Sequence, residues 1–271
     1  MTGRELPPTS PFAGDDGSAD PAVAAALADL ASGGTVAAVV AALAGTRVLV
    51  PVLAELDSAG TVEVDGHAHT VEKEASAGIV ALRAPDGRTA LPVFSSVVAM
   101  TAWRPDARPV PTEVARAALS AVQEGWALLV VDPGGPVTAL LPRPAVWALA
   151  QQQPWRPAVT GTGTGAAVDP EVAAAVRGAV LAAVGPSSGG EQGPGTRSRW
   201  FRRAAPAEHP GVPVRDVAAL PGGRAEVAVE LTLVPGLDRV AVDAVVRRVG
   251  EALGADETVT QRVDSVEVRL R

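Results

Sequence analysis

The chain has 271 residues, 47% of them apolar and 20% charged, which is enough for about two domains with real cores. It holds no Cys, three His, one Lys (Lys73, after Glu72) and 3% aromatics, which excludes disulfides, thiol catalysis, Cys-ligated zinc, most His-based metal sites and a Walker A phosphate loop. A formal net charge of −7 argues against broad nucleic-acid or anionic-membrane binding.

Residues 1–19 are rich in Pro, Gly, Ser and Asp and are expected to form a disordered leader, having too little to bury. They carry no basic region followed by an apolar run, so no signal peptide is expected and the cytoplasm is the expected compartment. No apolar stretch reaches the roughly 18–20 residues a membrane helix needs.

A first domain is expected over 20–157. Asp20-Pro21 opens a helix and Gly33-Gly34 closes it. A second helix covers 35–44. Arg47 to Leu56 reads as a strand, placed at an edge or bulge by Pro51. Asp65-Gly66 marks a hairpin within Val62–Glu72, and Pro85-Asp86-Gly87 marks another between Ile79–Arg83 and Thr89–Phe94. Ser95 or Ser96 caps a short helix ending near Trp103.

Residues 112–124 predict an amphipathic helix with Val114, Ala118, Leu119, Ala121 and Val122 inward, stopped by Gly125. Trp126 to Val131 predicts a central strand. Asp132-Pro133-Gly134-Gly135 turns the chain into Val137–Leu141, and a helix follows over 143–152. Trp126 and Trp147 are expected in the core.

Residues 158–196 are expected to be a flexible linker containing a helix at 170–184. Its Gly161-Thr-Gly-Thr-Gly165 run lacks the preceding strand and the immediate helix of a dinucleotide loop. Residues 197–271 are expected to form a small second domain. It would hold strands at 197–205, 225–234 and 263–270, and a helix from Asp238 to about Leu253. The fold class is α+β, with two domains, each a small mixed or antiparallel sheet packed by helices.

Leu49–Val52 (LVPV), Leu91–Ser96 (LPVFSS), Trp103-Arg104-Pro105, Val130–Pro136 (VVDPGGP) and Leu140–Pro142 (LLP) together resemble the N-terminal domain of the SseB family. Members commonly carry Thr where this chain has Ser95. The second domain resembles, more weakly, the C-terminal domain of some SseB relatives. The resemblance implies a fold and not a reaction, because the family is named from a serine-sensitivity phenotype and has no agreed biochemical activity.

The residues add little chemistry of their own. His67 and His69 share a strand face near Glu63, Asp65 and Glu72, but a hairpin tip is a poor place for three or four converging ligands, so no metal is expected. No nucleophile elbow is present, His209 has no nearby Ser, and Asp15-Asp16 and Asp256-Glu257 read as solvated surface. Trp103 and Arg104 are the candidate partner-contact residues, since exposed Trp and Arg anchor interfaces.

The cluster Arg197-Ser-Arg-Trp-Phe-Arg-Arg203 has the mixture that single-stranded RNA favours. Residues 186–271 nevertheless balance 12 Arg against 12 acidic residues, so a guarded edge strand is expected there and no nucleic-acid binding. The sequence thus reads as a non-catalytic cytoplasmic protein acting through protein–protein or small-ligand contact, with an unidentified protein partner and no cofactor. The alternatives are a carboxylate-based enzyme and a weak RNA binder through 197–203.

Overall fold

The computed structural model describes residues 12–53, 61–64, 67–72, 80–84, 86–185 and 213–271. The chain divides into two units, 1–156 and 157–271. Both are helices packed on small sheets, so the α+β class holds.

The first unit opens with α1 (Pro21–Ala31) and α2 (Val36–Leu43). The carboxylate of Asp20 accepts the amides of Ala22 and Val23, so α1 starts at its predicted cap, and at the start of α2 the hydroxyl of Thr35 accepts the amide of Ala38. β1 (Arg47–Val52) follows, then β2 (Thr61–Val64), β3 (His67–Glu72), β4 (Ala81–Arg83) and β5 (Thr89–Val93). β2 and β3 pair antiparallel with Val64 opposite His67; the turn predicted at Asp65-Gly66 itself lies outside the described residues. β4 and β5 form the second predicted hairpin.

Next come α3 (Val97–Trp103), β6 (Arg108–Glu113), α4 (Val114–Gln123), β7 (Leu128–Val131), β8 (Ala139–Leu141) and α5 (Arg143–Ala150). The sheet order is β2-β3-β4-β5-β7-β8, with β5 and β7 parallel and every other pair antiparallel. β7 is therefore interior. Leu129 and Val131 pack into one core cluster with α1, α2, α4 and α5, while Leu128 and Val130 pack into a cluster on the other face. Burial on both faces explains the unbroken apolar run.

β6 is a strand with no counterpart in the sequence reading, and its last two residues fall within the helix expected over 112–124. It pairs with β1, Val50 opposite Val110 and Leu49 opposite Pro111. The amide and carbonyl of Leu49 bond Phe94 instead, so residues 49 and 51 turn their backbone away from β6. Pro51, Pro109 and Pro111 thus occupy the non-hydrogen-bonded register and cost the ladder no donor.

Three further corrections concern packing. The buried stripe of α4 is Val114, Ala117, Ala118 and Ala121, whereas Leu119 is 45% exposed. Trp147 is likewise 45% exposed, because α5 turns Ala145, Val146 and Leu149 inward. Trp126 is buried but precedes β7. The amides of Gly125 (φ 73°) and Trp126 bond the carbonyls of Val122 and Ala121, a Schellman closure of α4 that tucks the indole against the helix end.

The second unit begins at Pro157, so the expected linker over 158–196 is corrected where it is described. β9 (Val159–Thr160) and β10 (Ala167–Val168) form a hairpin around a 3-10 turn at Gly163–Gly165. Gly161 sits at φ 76°, where a Cβ would lie 2.5 Å from the carbonyl oxygen of Gly165. The Gly-Thr run is therefore a built turn. α6 (Pro170–Val184), capped by Asp169, buries Val172, Val176, Val180 and Val184 at one-turn spacing in the core of this unit. The remaining expected linker, the strand at 197–205 and the cluster 197–203 lie outside the described residues.

β11 (Val214–Pro221), β12 (Val227–Leu233) and β13 (Val266–Leu270) form a sheet in that order. β12 pairs antiparallel with β11 and parallel with β13, and the crossover between them is α7 (Arg239–Ala255) and α8 (Glu257–Arg262). Asp238 caps α7 as predicted, and its inward stripe is Val245, Val249 and Leu253. β11 and α8 were not predicted. Asp256 is no surface acid but the cap of α8, accepting the amide of Val259 at 3.0 Å. Among the described residues no helix is long and apolar enough to cross a membrane.

Candidate functional site

The parallel pairing of β5 with β7 brings two chain exits side by side. Val93 lies opposite Val131, so Ser95 and Asp132 leave the sheet together at the carboxyl ends of neighbouring strands. This is where open α/β sheets place ligands. Asp132 donates its amide to the carbonyl of Val93 at 2.9 Å and adopts φ 49°. Its carbonyl accepts the amide of Gly135 and the hydroxyl of Thr138, so the Pro133-Gly134-Gly135 turn fixes the residue in a left-handed conformation that Asp tolerates.

In that pose the Asp132 carboxylate grips Ser95 twice. The amide of Ser95 donates to Oδ1 at 2.8 Å and its hydroxyl to Oδ2 at 2.6 Å. Both residues are 7% exposed. Burial pushes the Asp132 carboxyl above its ordinary range, opposed by these two bonds. Capping of α3 falls instead to Ser96, whose hydroxyl accepts the amide of Ala99.

Arg47 extends the network outward. Its NH1 donates to the carbonyl of Ser95 at 2.6 Å, its Nε and NH2 donate to the Asp15 carboxylate, and NH2 also reaches the carbonyl of Ser18. The Arg47 bond holds the Asp15 carboxyl below the ordinary range despite some desolvation. Asp15 is thus an ion-pair partner, and residues 12–18 are ordered on the domain, which corrects the expected leader over that stretch. Gly17 closes the strap over α3: its carbonyl accepts the amide of Val97, and a Cβ there would lie 2.6 Å from Val97 Cγ2. Asp132, Ser95, Arg47 and Asp15 form one continuous chain of polar contacts beneath a backbone strap.

Chemically, Ser95 and Asp132 are a hydroxyl on a carboxylate base, both buried. The hydroxyl proton is committed to the carboxylate, and Arg47 is spent on four bonds. His67 and His69 lie on β3, which two strands separate from β7; their side chains and His209 lie outside the described residues. Among the described residues no group of three or more His, Asp or Glu is placed to hold a metal.

Beside this network lies a groove of about 670 Å³. Its walls are the turn Ala44–Arg47, the start of α4 at Glu113–Ala115, Leu149 of α5 with Gln152, Gln153 and Pro154 after it, and Phe12. Gln152 adopts φ 55°, and the amides of Gln152 and Gln153 bond the carbonyls of Leu149 and Ala148. This non-glycine αL closure turns Gln152, Gln153 and Pro154 into the groove. It is a backbone conformation enriched at ligand-contact positions. Sequence reasoning missed both the groove and the network.

Trp103 and Arg104, the residues singled out from sequence, do not line the groove. Trp103 is half-buried; its ring lies 5.2 Å from that of Phe94, and its indole N–H is buried with no acceptor among the described residues. Arg104 pairs with Asp106 at 3.0 Å.

In the second unit, Arg262 donates to Asp169, Glu171 and the carbonyl of Pro157, tying the end of α8 to the start of α6. Glu226 accepts the amide of Asp264 at 2.7 Å, and burial raises its carboxyl.

Residues 23–148 match the family model of the SseB protein N-terminal domain. Over these residues the first unit is similar to the SseB N-terminal domain. The match runs from α1 into α5 and takes in the Ser95–Asp132 pair, Arg47 and most of the groove wall, but not Phe12, Asp15 or Gln152. It does not extend to the second unit, so the C-terminal part of the resemblance is not confirmed. No curated protein and no solved structure matches the chain.

Proposed function

We propose that the protein is a non-catalytic binding protein whose SseB-like N-terminal domain receives a small ligand, or a short protruding segment of a partner, in the groove between α4 and α5. The groove carries the reading. Its size falls within the roughly 300–1,000 Å³ of small-molecule sites, and it combines apolar walls (Phe12, Val114, Leu149) with a few polar groups (Thr46, Glu113, Gln152, Gln153). The Ser95–Asp132–Arg47 network supports it from behind as a brace, because its donors are already committed. A partner contact through the outer edge of Trp103 and Arg104 is a separate proposal, and so is a cytoplasmic location, tested by fractionation of native cells.

The experiment is a metabolite and peptide screen by thermal shift and calorimetry on the full chain, repeated on Ala115→Trp, which fills the groove. Binding lost in Ala115→Trp with the fold intact is expected. The buried hydroxyl–carboxylate pair favours the enzyme alternative, so turnover is measured in parallel. Reproducible turnover abolished by Asp132→Asn overturns the non-catalytic reading.

A further inference from the structure

β13 is an edge strand, and the direction of its backbone is fixed by its parallel partner. Arg271 donates its amide to Leu231 and accepts that of Leu233, and Ser265 accepts the amide of Val227. In a parallel ladder alternate residues face the partner. Ser265, Glu267, Arg269 and Arg271 therefore turn their backbone groups toward β12. Val266, Val268 and Leu270 turn theirs outward, where no strand among the described residues pairs with them.

The side chains of those three residues share one face of the sheet. Val266 and Val268 are half-buried against the core of the unit, while Leu270 is 46% exposed, so the apolar face runs past the edge of the core uncovered. Glu267 and Arg269 occupy the opposite face. Such an edge is a template for another strand unless charges guard it.

The charges on this edge are self-complementary. In an antiparallel pairing of β13 with a second copy about a two-fold axis at Val268, Val268 faces its own counterpart and Val266 faces the partner's Leu270. Those are the residues with outward amides, so every pair that must exchange hydrogen bonds has them to exchange. The non-hydrogen-bonded pairs then place Glu267 opposite the partner's Arg269, twice by symmetry. Glu267 is already a carboxylate held by the amide of Gly223 and by Arg269 of its own strand, and Arg269 is 42% exposed and within reach of a neighbour. Moving the register by two residues one way sets Glu267 against Glu267; moving it the other way sets Arg269 against Arg269 and leaves Glu267 only Arg271, which already pairs with Glu230, while also losing the pairing of Val266. A charge guard that repels other strands therefore selects this one.

We infer that β13 is a homodimerisation edge, at which two copies of the chain pair through Val266–Leu270 into a continuous six-stranded sheet with isologous two-fold symmetry. A single strand pair buries less than a standard interface, so the dimer is weak and reversible.

The test uses the full-length chain. Sedimentation over roughly 1 to 500 µM is expected to show a monomer–dimer equilibrium in the micromolar range. Amide exchange followed by NMR reads the register directly. Exchange at Val266, Val268 and Leu270 should slow by about tenfold or more with rising concentration, while Glu267 and Arg269, already bonded to β12, should not change. Val268→Pro removes an outward amide that β12 does not use and should give a folded monomer. Arg269→Glu, altering only a side chain, should weaken the dimer by about tenfold or more. A monomer at every concentration, concentration-independent exchange at the three outward amides, a dimer indifferent to both substitutions, or open-ended polymers each overturn the inference.

Discussion

Replacing Ser95 with Ala tests the buried brace. The change removes the 2.6 Å bond to Asp132 Oδ2 and leaves that oxygen buried without its donor, while the Ser95 amide stays on Oδ1. Losing a bond to a buried charged acceptor costs about 2 kcal/mol. At a typical urea slope that moves the unfolding midpoint by about 1 M.

The loss depends on pH, and the sign follows from Asp132. Burial holds its folded pKa above the unfolded value, so the proton binds more tightly to the native state. The contribution of this group is fully present below the unfolded pKa and declines as pH rises through the folded one. Removing the Ser95 hydroxyl takes away a bond that lowers the pKa, so the folded value rises further. The variant therefore loses about 2 kcal/mol where the carboxylate is ionised and less where acid protonates it, so the loss at neutral pH exceeds that near pH 4.

Urea melts at both pH values, read by tryptophan fluorescence, report mainly on the first unit, which holds Trp103, Trp126, Trp147 and Trp155 of the five Trp. Ser95→Thr keeps the hydroxyl and should stay close to the parent. An equal loss at the two pH values, or a loss under about 0.5 kcal/mol at neutral pH, refutes the assignment of this bond as a brace on an ionised carboxylate.

Other outcomes follow from the same packing. Trp126→Ala should cost about 3–5 kcal/mol in urea melts and Trp147→Ala under about 1 kcal/mol, reversing the equal weight their sequence contexts imply. Arg47→Met should leave the melt of the core strands in place while amide exchange at 15–18 rises steeply, since this guanidinium holds Asp15 and the carbonyl of Ser18. Gly161→Ala should destabilise the second unit by more than about 1 kcal/mol and open 159–168 to proteases that spare the parent, because the αL backbone and the Gly165 carbonyl leave no room for a methyl group. Glu267 is held at about 2 chiefly by the amide of Gly223, so its contribution is present above 4.5 and lost as pH falls toward 2; Glu267→Gln should flatten the acid limb of the stability curve.

What the sequence disclosed was local. Asp20, Asp169 and Asp238 satisfy amides within three residues of themselves, so a cap can be read from a short window. The turn at Asp86-Gly87, where the Gly87 amide bonds the Ala84 carbonyl, is local in the same sense. The remainder depends on distant partners. Ser95 meets Asp132 across 37 positions and Arg47 meets Asp15 across 32, and no short window contains both members. β6 is not legible locally because Pro109 and Pro111 disfavour a strand unless the pairing with β1 shows which of its residues need donors. α6 was found as a helix but read as a linker, because its valine stripe at 172, 176, 180 and 184 has meaning only against a core assembled from later strands. The groove belongs to four separate segments and has no sequence signature at all.

The parallel seam between β5 and β7 also bears on the order in which the first unit assembles. The hairpins β2–β3, β4–β5 and β7–β8 each close over a short span of chain. The seam closes only after α3, β6 and α4 have been threaded between its two strands. Non-local closures carry their entropic cost before any contact rewards it, so such pairings form late in folding. Ser95 and Asp132 lie at the far end of that seam, beyond its last paired residues. Their bonds then belong to the downhill side of the folding barrier, where weakening them accelerates unfolding and leaves the refolding rate nearly unchanged. The pair that clamps the carboxyl ends of the strands is in kinetic terms a latch, governing how long the domain stays shut once formed.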